Sequence, residues 1–99
     1  MRKITEKAFE AFKNNREFSL DNTYVTSDEK QTSMYLHFNC IARKCRKSGI
    51  VEITTAGWDT PTTKERLKPF AQVSHSKRQL YLGNFQWTGE WTIVDAPGS

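Results

Sequence analysis

From Thr23 to Val94 turn signals cut the chain into short β-branched and aromatic runs, and that pattern specifies a sheet of hairpins. "TYVTS" (Thr23–Ser27) is followed by the polar turn "SDEKQ". "TSMYLHF" (Thr32–Phe38) alternates, with Met34, Leu36 and Phe38 on one face. A tight turn around His37-Phe38-Asn39 leads into "CIARKC" (Cys40–Cys45). "RKSG" (Arg46–Gly49) is the next hairpin tip. "IVEITT" (Ile50–Thr55) follows, with Val51 and Ile53 inward and Glu52 outward. Three strands are expected at the end: Ala71–His75, Arg78–Leu82 and Phe85–Val94. Gly83-Asn84 joins the second to the third as a two-residue hairpin loop.

Two segments read as helix instead. In Thr5–Asn15, Ile4, Ala8, Ala11 and Phe12 share a face; Thr5 is the expected N-cap, and Ile4 with Phe9 takes the staple positions. In "DTPTTKERLKPF", Thr62 and Glu65 have capping-box spacing, Leu67 and Phe70 supply apolar contacts, and Pro69 stops the helix after about two turns. Gly57 ends the strand before it, and Trp58 is expected to dock on the core. Lys64 and Lys68 face solvent, with Arg66 at their flank. The expected class is α+β, in the order α-β-β-β-β-α-β-β-β, with the helices packed on one face of a mostly antiparallel sheet.

A chain of 99 residues makes one domain with one modest core, expected over residues 1–95 with a frayed tail at 96–99. Hydrophobic residues are 36% and aromatics 12%, so the core relies on Phe, Tyr and Trp. No apolar run approaches the roughly 18 residues of a membrane span. The first residues lack the apolar core of a signal peptide, so a cytoplasmic protein without a membrane partner is expected.

The net charge of +4 is unevenly placed. Six basic residues face six acidic ones from Met1 to Ala42. From Arg43 to Arg78 nine cations (Arg43, Lys44, Arg46, Lys47, Lys64, Arg66, Lys68, Lys77, Arg78) face only Glu52, Asp59 and Glu65. Local basicity is what a polyanion feels. These nine are the candidate nucleic-acid contacts, arranged as a hairpin tip, a short helix and the Lys77-Arg78 pair. Trp58, Trp87 and Tyr81 are candidate stacking residues for a single strand. No motif for base-specific reading is present, so a partner nucleic acid, single- or double-stranded, is expected to be bound without sequence preference.

"ITEKAFEAF" (Ile4–Phe12), "YLHFNCIA" (Tyr35–Ala42), "ITTAGWDTPTTKERL" (Ile53–Leu67) and the "YL…W…GEW" hairpin (Tyr81–Trp91) together resemble a group of small, uncharacterised accessory proteins of tailed bacteriophages and prophages. The resemblance covers most of the chain and is most specific from Gly57 to Leu67. Phe38 stands where that group often has Gly, and Gly83-Asn84 where it has Asn-Gly; both differences concern turns. The resemblance implies a phage origin, an accessory role and the cytoplasm of an infected bacterium. It supplies no catalytic residue. By analogy it also implies a second function, stoichiometric inhibition of a host protein. Trp87 and Trp91 are the candidate anchors for such a partner, being on one face if their strand is regular and on two if Thr88-Gly89 bulges.

Enzyme chemistry finds little support. The acids are scattered, and neither His37 nor His75 has a carboxylate neighbour in sequence. The flanking residues of Ser74-His75-Ser76 alternate across a strand. Cys40 and Cys45 point to opposite faces, so no bridge between them is expected. Cys45, between Lys44 and Arg46, is a candidate reactive thiol. Two cysteines and two unpaired histidines fall short of a zinc site. The expectation is a non-enzymatic protein without cofactor or metal.

Overall fold

The computed structural model describes residues 2–58 and 60–94. The tail at 96–99, and Asp59 just before the second helix, lie outside the described residues. The elements run α1 (Lys3–Lys13), β1 (Phe18–Leu20), β2 (Thr23–Ser27), β3 (Gln31–Leu36), β4 (Asn39–Cys45), β5 (Val51–Ile53), α2 (Pro61–Leu67), β6 (Val73–Ser76), β7 (Gln79–Leu82), β8 (Phe85–Gln86) and β9 (Thr92–Val94). The protein is α+β, as the strand pattern requires. Six strands form one antiparallel sheet in the order β1-β2-β3-β4-β5-β9, and β6-β7-β8 form a second.

One row of aligned residues, Phe18, Val25, Met34, Ala42, Ile53 and Thr92, crosses the large sheet on its inner face. At Met34 the register shifts, and Ile41 is the additional residue of a β-bulge. The bulge keeps both Ile41 and Ala42 buried. Over this face lie Ala8, Ala11 and Phe12 of α1, Leu67 of α2, and Val73, Leu80 and Trp87 from the second sheet and its end. Phe70 links the two helices, its ring edge-on to Phe9 at 5.1 Å and to Phe12 at 5.0 Å. Burying rings of this size contributes ~1.5–3 kcal/mol each.

Several local expectations are corrected. Helix α1 starts before Thr5, which is buried inside it and caps nothing; the N-cap is Arg2, without a side-chain cap bond. Ile4 therefore lies within the helix and forms no staple. Helix α2 is capped by Thr60, whose Oγ1 accepts from the Thr63 N–H at 3.2 Å, with Pro61 in the first turn. Pro there loses no helical hydrogen bond, which is why the helix starts at it and not at the Thr62 capping box. It ends at Leu67, before Pro69, as expected. Strand β1 is an addition: three residues pair with β2 and have too little alternation to signal themselves.

The strand expected over Phe85–Val94 is two strands in different sheets. β8 pairs with β7, and β9 pairs with β5. Between them Gly89, at φ +85°, brings its carbonyl to the Thr55 N–H at 2.9 Å and to the Thr54 hydroxyl. A Cβ at 89 would overlap the Thr55 hydroxyl, so only glycine fits this turn. Trp87 and Trp91 consequently share no strand face. No described helix is long and apolar enough to cross a membrane.

Candidate functional site

The cations of "ARKCRK" do not act together. Alternation along β4 sends Arg43 to the outer face, where its Nε donates to the Glu52 carboxylate across the strands at 3.1 Å. Its guanidinium lies 3.9 Å from the centre of the Trp91 ring. Lys44 turns inward instead. Its Nζ donates to the carbonyls of Phe12 and Lys13, each at 3.1 Å, closing the C-terminal end of α1. Burial, with Arg46 nearby, pulls the Lys44 ammonium below its usual pKa. Arg46 donates to the Asp28 carbonyl at 2.8 Å, and Lys47 is exposed at the tip. The expectation that Lys44 is part of an open basic tip is thus corrected: it is an internal helix cap.

Helix α2 separates its cations by depth. Arg66 is only 2% exposed. Its Nε donates to Thr23 Oγ1 and a terminal nitrogen donates to Thr5 Oγ1, both at 2.9 Å. Burial, and then Arg2, lower its pKa. Arg66 thereby joins β2 to α1 and is not the solvent-side residue the sequence suggested. Lys64 and Lys68 do face outward. With Arg2, Glu65, Val73, Ser74 and His75 they line an open cleft of about 550 Å³ between α2 and β6. Glu65 accepts from the Arg2 N–H at 3.0 Å, and Lys68 Nζ lies 3.9 Å from its carboxylate. The Arg2 bond first, then Thr5, Lys68 and the N-terminal charge, hold the Glu65 carboxyl below the usual glutamate range.

β6 continues from Ser74 and His75 to an exposed tip at Lys77-Arg78. The pairing of Ser76 with Gln79 makes Lys77 and Arg78 the two loop residues, with φ +48° and +65°. Arg78 is therefore in the turn and not in the strand.

The tryptophans exchange roles relative to expectation. Trp87 is 5% exposed, its indole N–H donating to Thr92 Oγ1 at 2.8 Å, so it is a core residue and not the exposed anchor the sequence suggested. Trp91 is half-buried against Arg43. Trp58, expected in the core, is 58% exposed. It sits at a pocket of about 370 Å³ formed where the β3–β4 turn meets the loop before α2. Leu36, Ile41, Thr55 and Thr63 are its buried residues; His37, Asn39, Thr60 and Thr62 complete it. Tyr81, the other stacking candidate, is half-buried on β7 opposite Ser74.

The two cysteines are free, Cys40 half-buried and Cys45 exposed. Burial raises the Cys40 thiol. Hydrogen bonds from Ser48, foremost its hydroxyl, lower Cys45; the neighbour that matters is Ser48, and the flanking cations are not the main cause. Among the described residues no three His, Cys, Asp or Glu side chains gather as metal ligands.

Arg2, His37 and the loop threonines are not among the binding residues that the sequence pattern marks. The density of threonine around Trp58, "TTAGW" and "TPTT", was the available signal. No curated protein and no solved structure matches the chain. A family model does match, over residues 1–96, and on that match the chain belongs to the Kyanoviridae Gp96 protein family, a family of phage proteins.

Proposed function

We propose that this phage protein is a non-enzymatic binder of nucleic acid, held by its phosphates along the face from the Lys64–Lys68 cleft to the Lys77-Arg78 tip. The observation that carries this reading is the convergence of Arg2, Lys64, Lys68 and His75, from three separate segments, on one cleft. A cleft lined mainly by one sign of charge concentrates counter-ions. Its one acid among the described residues, Glu65, is already engaged by Arg2 and Lys68. The proposed face is smaller than the nine cations suggest. Lys44 and Arg66 are committed inside the fold, and Arg43 lines a different hollow with Lys30 and Glu52.

Backbone conformation supports the same face. A two-residue turn with both φ values positive favours Asn and Gly, and side chains such as Lys and Arg cost roughly 1–3 kcal/mol each there. Two exposed cations at such positions suit a role in contacts outside the fold. Phosphate contacts carry no base information, so little sequence preference is expected.

The test is fluorescence anisotropy of a labelled oligonucleotide at ~50 and ~200 mM salt. Binding should weaken steeply with salt, and Lys64→Ala and Lys68→Ala should each reduce the log–log slope by about 0.7–0.9. Absence of binding by the folded protein at low salt contradicts the proposal.

A second reading, stoichiometric binding of a host protein, is favoured by a different observation. Ile50 and Ile93 flank one hollow, and Ile93 and Phe85 the next, at 49%, 65% and 78% exposure for Ile50, Ile93 and Phe85. Ile93 lies on β9, an edge strand of the large sheet; Ile50 stands just before β5, its neighbour, and Phe85 is in β8 of the second sheet. Apolar side chains along a sheet edge suit a protein partner that adds a strand. Capture of one host protein at a 1:1 ratio, lost in Ile93→Lys, is its expected result; capture that is unchanged in Ile93→Lys contradicts it.

A further inference from the structure

We infer that the Trp58 pocket receives one unpaired base of a single-stranded nucleic acid, whose backbone continues into the Lys64–Lys68 cleft. This rests on the phosphate-binding proposal above and names the form of nucleic acid that the face selects.

Three observations lead there. The first is continuity. Thr62, in the first turn of α2, lines both cavities, so the two adjoin there. The second is the division of chemistry between them. The pocket combines buried Leu36 and Ile41 with the exposed rings of Trp58 and His37, and its described lining holds no Asp, Glu, Lys or Arg. The cleft holds the cations. A nucleotide divides in the same way, into a flat, uncharged base and a charged phosphate. An exposed indole beside a basic groove is the arrangement that single strands stack on. The third is size. About 370 Å³ is near the lower end of the range for small-ligand pockets, enough for one base and its sugar. A paired base cannot enter without being unpaired, which costs a few kcal/mol. The pocket therefore discriminates against duplex.

The backbone at the pocket mouth fits this assignment. His37 and Phe38 form the two-residue turn between β3 and β4, with φ +49° and +68°, and Phe38 is 87% exposed. A bulky side chain at positive φ is a genuine outlier. At this turn the His37 side chain lines the pocket, while the Phe38 ring lies edge-on to Tyr24, 6.2 Å between ring centres.

The experiment compares a single-stranded oligothymidylate with a DNA hairpin of equal phosphate number, by intrinsic tryptophan fluorescence and by anisotropy. It uses the full-length protein and its Trp58→Ala, Trp58→Phe and Lys64→Ala/Lys68→Ala variants, each shown folded by circular dichroism. The unsubstituted protein should prefer the single strand, with quenching that Trp58→Ala abolishes. Trp58→Ala should weaken single-strand binding by about 5- to 140-fold and leave hairpin binding within about twofold. Trp58→Phe should retain most of the affinity. The lysine pair should weaken both ligands alike. If Trp58→Ala binds the single strand as tightly as the unsubstituted protein, the base pocket is wrong while phosphate binding stands. If the unsubstituted protein binds neither ligand, both proposals fall. A host protein whose capture depends on Trp58, without nucleic-acid binding, would reassign the pocket to a protein partner.

Discussion

Arg66 and Lys64 are both basic residues of one seven-residue helix, yet they do opposite work. Arg66 is buried and holds Thr23 and Thr5, while Lys64 lines the cleft. Removing a buried charged donor leaves two hydroxyls without it, at about 1.5–3 kcal/mol for hydrogen bonds of this kind. Arg66→Met, which keeps most of the volume, is therefore expected to lower stability in urea by ~3 kcal/mol. Lys64→Ala should stay within about 0.5 kcal/mol, as surface substitutions do. Equal effects would mean that the two residues are not divided by depth. This distinction was legible in the sequence. Thr63, Arg66, Leu67 and Phe70 stand at i, i+3, i+4 and i+7, the full stripe of a core-facing helix. Its phase on the helix, and not its charge, decides that Arg66 is buried. Trp58 offered no comparable signal, because a loop has no periodicity to say which way a side chain points.

At the scale of elements, hairpin turns and caps carry most of what distinguishes this fold. The Lys77-Arg78 turn sets local stability against the proposed function. Lys77→Asn/Arg78→Gly should stabilise the protein by roughly 1–2 kcal/mol by relieving two positive-φ side chains. The same change should weaken polyanion binding and lower its salt slope. A variant that gains stability and keeps full binding would remove the tip from the interface. The order of elements followed from alternation and turn residues. β1 did not, because three residues alternate too briefly. Nor did the break between β8 and β9, because that depends on Gly89 meeting Thr54 and Thr55, a contact 34 residues distant that local pattern cannot contain. Lys44 escaped for a related reason: a strand cation becomes a helix cap only when the sheet and helix are assembled.

For the whole molecule, the charge map divides into parts that hold the fold together and parts left for a partner. Glu65 lies on the boundary. Its carboxyl, held below the usual range by Arg2 and Thr5 with Lys68 near, favours the folded state at neutral pH. A depressed acid contributes stability above its unfolded pKa and loses it as pH falls through the folded one. Melting temperature should therefore show the unsubstituted protein above Glu65→Gln near neutrality, with the gap closing in acid. A gap that is constant with pH would show that the carboxyl's charge is not involved. The same substitution should tighten oligonucleotide binding, since it removes an acid from the cleft. The α+β class and the local excess of cations were both legible in the sequence. Their placement was not, because strand order decides which turns and termini meet, and Arg2 reaches α2 only in the folded chain.

The most direct single measurement is amide chemical-shift mapping of the isotopically labelled protein titrated with a single-stranded oligothymidylate at low salt. Binding through the cleft and the Trp58 pocket predicts that the shifts concentrate in Arg2 and residues 36–39, 55–68 and 73–78, together with the Trp58 indole N–H, and saturate together. Shifts concentrated instead around Ile50, Phe85 and Ile93, or no shifts at all in the folded protein, would contradict that placement of the nucleic acid.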